Sequence, residues 1–402
     1  MLKRRYPLIA PLLALTLPAV AAPDPSDWSA VLDEADGQTV YWNAWGGDSR
    51  TNRYIDWVAE QMQAQFNVEV AHVKLDDTSS AVSRVLAEKQ AGNDDEGSID
   101  LIWINGENFA AMRESDLLFG PFAEALPNFA LTNADDNPEV VTDFTLPTEG
   151  YESPWGKAQI TFYYDSALTD TPPQDMSALL EWAKANPGQF SYPRIPDFTG
   201  STFLKQALIE LTDQDDALYQ PVDDADFERV TAPLWAYLDD LHPHLWRSGR
   251  TFPDSGPNLR TLMSDGELSL AFSFYPTDAA VAVREYELPE SVRSYVLEGG
   301  TLGNVHFVAI PYNSPHKAGA MVLANFLLSP EAQAQKQSLS MWGDRSVLDI
   351  DQLDADARAL FEQGEQHPSE LPTDALSNTL PEPHPSWMTA LQDAWLERYG
   401  VN

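Results

Sequence analysis

Asp100-Leu101-Ile102-Trp103-Ile104-Asn105-Gly106-Glu107-Asn108-Phe109 is the stretch on which the fold turns. Ile99 to Ile104 is a short apolar run with β-branched residues, the pattern of a buried strand. It stops at Asn105-Gly106, a turn dipeptide, and helical spacing resumes with Phe109, Met112 and Arg113. In an open α/β sheet, ligands sit in the crevice outside the carboxyl ends of the strands. That edge here carries an indole, two carboxamides, a glycine and a carboxylate. The plain alternative is a strand, a turn and a helix cap. The arrangement recurs in Val40-Tyr41-Trp42-Asn43-Ala44-Trp45-Gly46-Gly47-Asp48, where a strand again ends in Trp, Asn and Gly and opens into a helix.

Working outward, Gln38 to Asn43 and Val68 to Val73 read as strands. Ile55, Val58, Ala59, Met62 and Phe66 fall at helical spacing behind Asp48 or Ser49 as cap. Thr78 opens a helix whose inner face is Val82, Val85 and Leu86, closed by Gly92. Strand alternating with helix implies right-handed crossovers and a mostly parallel sheet. From Pro121 to Pro147 the pattern breaks into loop. Gln159 to Tyr164 then starts a second lobe, with helical patterns at 176–185, 202–211 and 227–245 and a strand at 268–274. Near Tyr275-Pro276 the chain is expected to cross back. A strand at Val305–Ile310, helices from Ala318 and Pro330, and an acidic, proline-rich tail with a closing helix over Trp387–Tyr399 complete it.

The expected fold is therefore α/β: two lobes, each a mixed, mostly parallel sheet flanked by helices, with a hinge between them. The segments are 36–155 with 277–340 for lobe 1 and 156–276 for lobe 2. A C-terminal helical segment, 341–402, packs on both. Residues 1–22 read as a signal peptide: Lys3-Arg4-Arg5, an apolar run from Leu8 to Val20, and small residues at Ala19-Val20-Ala21-Ala22. The mature chain then starts near Ala22 or Pro23 and is exported to the periplasm. A retained N-terminal anchor is the alternative.

The absence of cysteine excludes disulfides, thiol nucleophiles and thiolate metal sites. With 24 basic against 62 acidic residues the net charge is -38, a field that repels nucleic acid and anionic membranes. Scarce lysine within that surplus suits a saline habitat. Hydrophobic content of 43% with 12 Trp is far from the composition of a disordered chain.

The residue types that gather at strand ends and loops are Trp42, Asn43, Trp45 and Asp48; Trp103, Asn105, Glu107 and Asn108; Trp155; Tyr163 and Asp165; and Tyr275 and Asp278. Aromatic rings offer flat apolar area and a negative face to a cation, and carboxylates complete a site for positive charge. Phe198-Thr199-Gly200-Ser201-Thr202 precedes a helix, so Ser201 and Thr202 are candidate anion or hydroxyl contacts at its N-terminus, with ordinary capping the plain alternative. No P-loop, G-x-S-x-G or H-E-x-x-H occurs. No catalytic residue, cofactor or metal is expected. His242-Pro243-His244 reads as a surface turn.

Tyr41-Trp-Asn-Ala-Trp-Gly-Gly47, Ala71-His-Val-Lys-Leu75, Asp100 to Phe109, Phe144 to Gly156, Gly303 to Pro311 and Ala324 to Gln333 carry a family resemblance. The chain resembles the type II periplasmic solute-binding proteins of ABC importers, and within them the YnjB-type branch. The resemblance covers nearly all the mature chain. It implies two α/β lobes that close over a small solute, and delivery to transmembrane permease subunits driven by a separate ATPase. Neighbouring branches take thiamine, polyamines, ferric iron or sulfate, and a cationic or thiamine-like solute suits the aromatic and acidic loops. Tyr163 and Tyr164, adjacent in a strand, point oppositely, which weakens a ferric-iron site. A monomer without nucleic-acid partners is expected. The competing reading is a secreted carbohydrate-active enzyme or lectin with Trp platforms and a carboxylate pair. A structural or calcium-dependent surface protein is a third.

Overall fold

A computed structural model describes residues 23–362 and 367–400, and the reading of residues 1–22 as a leader lies outside the described residues. Asp27 caps α1 (Trp28–Ala35). Strand β1 (Thr39–Trp45) follows, then α2 (Ser49–Phe66), whose cap is Asp48, accepting from the Arg50 amide. Tyr54, Ile55, Val58 and Met62 form the buried face of α2, and Asn67 ends it in a left-handed conformation. Next come β2 (Glu69–Leu75), α3 (Ser79–Gln90), β3 (Leu101–Ile104) and α4 (Gly106–Glu114). Every residue of β3 is buried, as the unbroken apolar run demands. The inner face of α3 is Ala81 and Val85; Leu86, expected inside, is exposed. Strands β1, β2 and β3 pair in parallel.

A hairpin, β4 (Thr142–Asp143) with β5 (Leu146–Pro147), leads into β6 (Glu152–Gln159) and then β7 (Thr161–Asp165). Only Ile160 separates β6 from β7, yet they lie in different sheets. The crossing into lobe 2 falls at Ile160, later than the expected 156. Lys157 to Gln159 still ladder against Val305 to Gly303.

Lobe 2 then builds α5 (Met176–Ala185), α6 (Phe198–Leu211), α7 (Phe227–Leu241), α8 (Gly256–Ser264), β8 (Leu270–Ser273), α9 (Asp278–Arg284) and β9 (Val292–Tyr295). The expected return near Tyr275-Pro276 is corrected. Ala279, Ala282, Val283, Leu288 and Val292 pack into the second core, so the chain stays in lobe 2 until β10 (Thr301–Ala309). Its sheet, β8-β7-β9, is antiparallel throughout. The reason is topological: β7 runs away from the crossing, whereas β8 and β9 both run back toward lobe 1.

Strand β10 joins lobe 1 antiparallel to both β3 and β6, making that sheet mixed. Helices α10 (Lys317–Leu327), α11 (Pro330–Gln337) and α12 (Ala355–Phe361) cover lobe 1, and Met341, Trp342, Val347 and Leu348 seal its core. The tail then changes lobes. Strand β11 (Thr379–Leu380) adds to β10, and α13 (Ser386–Tyr399) sets Trp387, Leu391 and Trp395 into the second core.

Candidate functional site

The two cores meet along a seam formed by the loops after β1, β2 and β3 on one side. The first turns of α6, α8 and α9 form the other. At one end the contact is ionic. The Arg260 guanidinium donates to Asp48 at 3.0 Å and to Asp278 at 2.6 Å, and Arg50 donates to Asp278 at 2.7 Å. Arg50, only 2% exposed, also reaches Glu285 and Glu287 of lobe 2. Charges this far from water hold only when paired and hydrogen-bonded, and here each has more than one partner.

At the other end Glu107, in the first turn of α4, faces Lys205 of α6 and Glu382 of the tail within electrostatic reach. Loss of water pushes Glu107 up to about 7, with Asp77 and Glu382 adding to the rise and Lys205 opposing it. Across the seam Asp197 caps α6 by accepting from the Gly200 amide at 3.1 Å. Burial pushes Asp197 up to about 6, and Asp77 of lobe 1 adds to that rise. Lys205 is fully buried, its ammonium donating to Glu382 at 2.6 Å and lying 4.5 Å from the Phe144 ring centroid. Acidic groups from both lobes thus outnumber the cations between them.

Aromatic rings stand beside this line. Trp103, 9% exposed, packs edge-on against Trp155 at 4.8 Å and Trp342 at 5.8 Å, and Tyr275 meets Trp342 at 5.4 Å. Beneath them lies a dry ionic cluster in which Asp344 accepts from Lys336 at 2.6 Å and contacts His306 Nε2 at 3.1 Å. Burial alone would drive Asp344 upward; the His306 and Lys336 charges and hydrogen bonds outweigh it and hold its carboxyl below the usual range. Gly156 gives this cluster its space, because a Cβ there would come within 1.9 Å of His306.

The seam gathers Asp48, Trp103, Glu107, Tyr275 and Asp278 from the expected site. Asn108 supports Glu107, its amide donating to Oε1 at 3.1 Å. Asn105 is a brace, with Nδ2 donating to the Val305 carbonyl at 2.8 Å. Trp45, half-buried, packs on the lobe 1 core beside Gly47. Tyr163 is buried in lobe 2 near Arg260 and Asp278, its hydroxyl without a partner.

Six expected site residues are corrected. Trp42 and Trp155 are fully buried against each other, 5.3 Å apart, as lobe 1 core. Asn43 points to the other face of its strand and lines a groove of about 260 Å³ beside α3. Asp165 ends β7 at the far side of lobe 2 and accepts from the Ala167 amide. Helix α6 starts at Phe198, so Ser201 and Thr202 lie inside it. Their hydroxyls donate to the helix carbonyls of Asp197 and Phe198. An open groove of about 470 Å³ along α2, lined by Arg53, Trp57 and Lys74, belongs to lobe 1 alone.

Arg50, Lys205, Arg260, Asp197, Trp342 and Glu382 escaped the sequence reading. Only Arg50 left a trace: a cation in the first turn of a helix opposes the macrodipole, so it needs acidic partners from elsewhere.

The profile of the bacterial extracellular solute-binding protein family matches residues 57–348. The chain belongs to that family. It is 48% identical to Protein YnjB of Escherichia coli (strain K12) over 94% of this chain and 95% of that protein. Among solved structures, a putative spermidine/putrescine ABC transporter from Listeria monocytogenes matches with a TM-score of 0.64 at 14% identity, covering 90% of this chain and 99% of that one. The periplasmic binding protein AfuA from Actinobacillus pleuropneumoniae, solved with fructose-6-phosphate bound, matches at 0.63 and 14%, covering 91% and 99%. These likenesses show the fold, the two-lobed type II periplasmic binding architecture. The family is one of solute binding outside the cytoplasm, not of catalysis.

Proposed function

We propose that this chain is the substrate-binding component of an ABC importer. It holds a small organic cation, of polyamine or thiamine-like chemistry, in the seam and hands it to permease subunits driven by a separate ATPase. One observation supports the cation above all. Asp77 and Glu107 of lobe 1 stand opposite Asp197 of lobe 2, away from the Arg50 and Arg260 ion pairs and beside the rings of Trp103, Trp342 and Tyr275. Closing two acidic faces is costly by like-charge repulsion; a bound cation offsets it and so favours the closed state. Export by a cleaved leader, residence in the periplasm as a monomer, and indifference to nucleic acid fit this role and the net charge of -38. The carbohydrate-active reading has no comparable support, since Asp48 and Asp278 are committed to Arg50 and Arg260.

A thermal-shift panel tests the proposal. It includes thiamine, thiamine phosphates, spermidine, putrescine, amino acids, fructose 6-phosphate, sulfate and ferric iron. A true solute at 100 times its Kd adds about 2.7 kcal/mol of stability. Stabilisation by an organic cation, lost in Glu107→Gln, supports the reading. A response confined to sulfate or the sugar phosphate sinks it.

A further inference from the structure

Helix α4 carries Glu107 to the seam, yet its own cap residue does not hold its first turn. The Asn105 side chain donates to the Val305 carbonyl and leans on Asp143 instead of capping the helix. The Gly106 amide donates instead to Asp143 Oδ2, on the β4–β5 hairpin. Hairpin and helix are interlocked there. Gly106 has φ 55°, and a Cβ on it would come within 2.6 Å of the Phe144 ring. Phe144 itself sits at φ 54°, a left-handed conformation a non-glycine residue keeps only where its surroundings enforce it.

Beneath the interlock are two buried acids. Asp143 is fully buried and its Oδ1 has no partner; Glu152, 1% exposed, has no partner for either oxygen. Glu152 lies within electrostatic reach of Asp143. Glu107 and Glu382 add negative potential at Asp143, and Arg113 of α4 opposes it at Glu152. Arg113 is itself shared with Glu149 and stacked on Tyr151. Isolation from water drives both buried acids well above the carboxylate range.

We propose that the carboxyl pair Asp143–Glu152 positions the N-terminus of α4, and with it Glu107, against the seam. The solute-site part of this inference rests on the function proposed above. Isolation from water favours protons on the pair, and Asp143 Oδ2 still accepts the Gly106 amide in that state. Loss of those protons at alkaline pH sets two like charges in a dry site, and the first turn of α4 loosens. The pair is thus a pair of positioning residues, not solute contacts.

Hydrogen exchange on the solute-free full chain carrying Glu107→Gln, which removes the acid that itself titrates at about 7 in this turn, tests this in peptides spanning Asn105 to Phe109, with rates corrected for intrinsic exchange. In this parent, protection of the Gly106 region should fall about tenfold as pH rises from about 6 to about 9. Glu152→Gln should keep that protection flat across the range. Asp143→Asn, which retains an acceptor, is the second variant should the first not fold, and is expected to be flat as well. Asp143→Ala should lose protection at every pH while α10 stays protected. Coincident profiles for the Glu107→Gln parent and the amide variants built on it, or full protection in Asp143→Ala, overturn the proposal. No solute is present, so failure here is separate from failure of the thermal-shift panel.

Discussion

Arg260 of lobe 2 donates to Asp48 of lobe 1 at 3.0 Å, and Asp48 is the residue whose carboxylate caps α2. One side chain therefore ties helix start to helix start across the gap between the lobes. Arg260→Ala should free the lobes in the absence of solute and raise the radius of gyration in solution scattering. Raising salt on the wild type should move the curve the same way, but less, because the circuit is partly shielded from solvent. Superimposable curves for variant and wild type would remove this contact as a closing device.

Arg50 has a harsher role. Its guanidinium is buried and serves Asp278, Glu285 and Glu287. Arg50→Ala leaves Asp278 dependent on Arg260 alone, and the expected loss is about 3–5 kcal/mol in urea unfolding. A loss under about 1 kcal/mol would mean that the pair behaves as a surface bridge.

Trp103→Ala and Glu107→Ala should each weaken binding of a cationic solute at least tenfold, about 1.4 kcal/mol, without unfolding the protein. Calorimetric titration with whichever cation stabilises the chain measures this. Unchanged affinity in both variants would take the loop after β3 out of the site.

Glu107, pushed up to about 7, also sets the pH dependence. Because its folded value lies above the unfolded one, it contributes stability that is complete below about pH 4. That contribution is lost as pH rises through about 7. Glu107→Gln should therefore raise the Tm at pH 8 more than at pH 5. Affinity runs the other way: a cation should bind the wild type more tightly above pH 7 than below it, and the variant equally at both. A wild-type affinity independent of pH contradicts this.

Lys205 and Glu382 are both 1% exposed and paired at 2.6 Å, with Asn304 on the second carboxylate oxygen. Lys205→Met should cost about 3–5 kcal/mol, and adding Glu382→Gln should recover much of it, since neutralising both partners leaves no stranded charge. Equal stability of the single and double variants would refute that coupling.

The loops that close on the seam from lobe 1 were legible because their signals are local. An apolar run, a turn dipeptide and a first-turn acid sit within ten residues of one another in Asp100–Phe109. What failed depends on distance along the chain. Arg50 meets Asp278 across 228 positions and Lys205 meets Glu382 across 177. Nothing near either residue announces its partner. Trp42 and Trp155 were misread because an indole at a strand end suits a core as well as a ligand. The length of lobe 2 was hidden because α9 is a short apolar helix with no boundary mark before it. Asp143 caps α4 from 37 positions on, where a capping acid is invisible to any local rule.

The last helix has a consequence for truncation. Trp387, Leu391 and Trp395 complete the interior of lobe 2, and Trp387 lies stacked on Phe227 at 5.8 Å. A chain cut short before Ser386 would uncover the apolar surface of lobe 2 that these three side chains cover, that of Phe227 included.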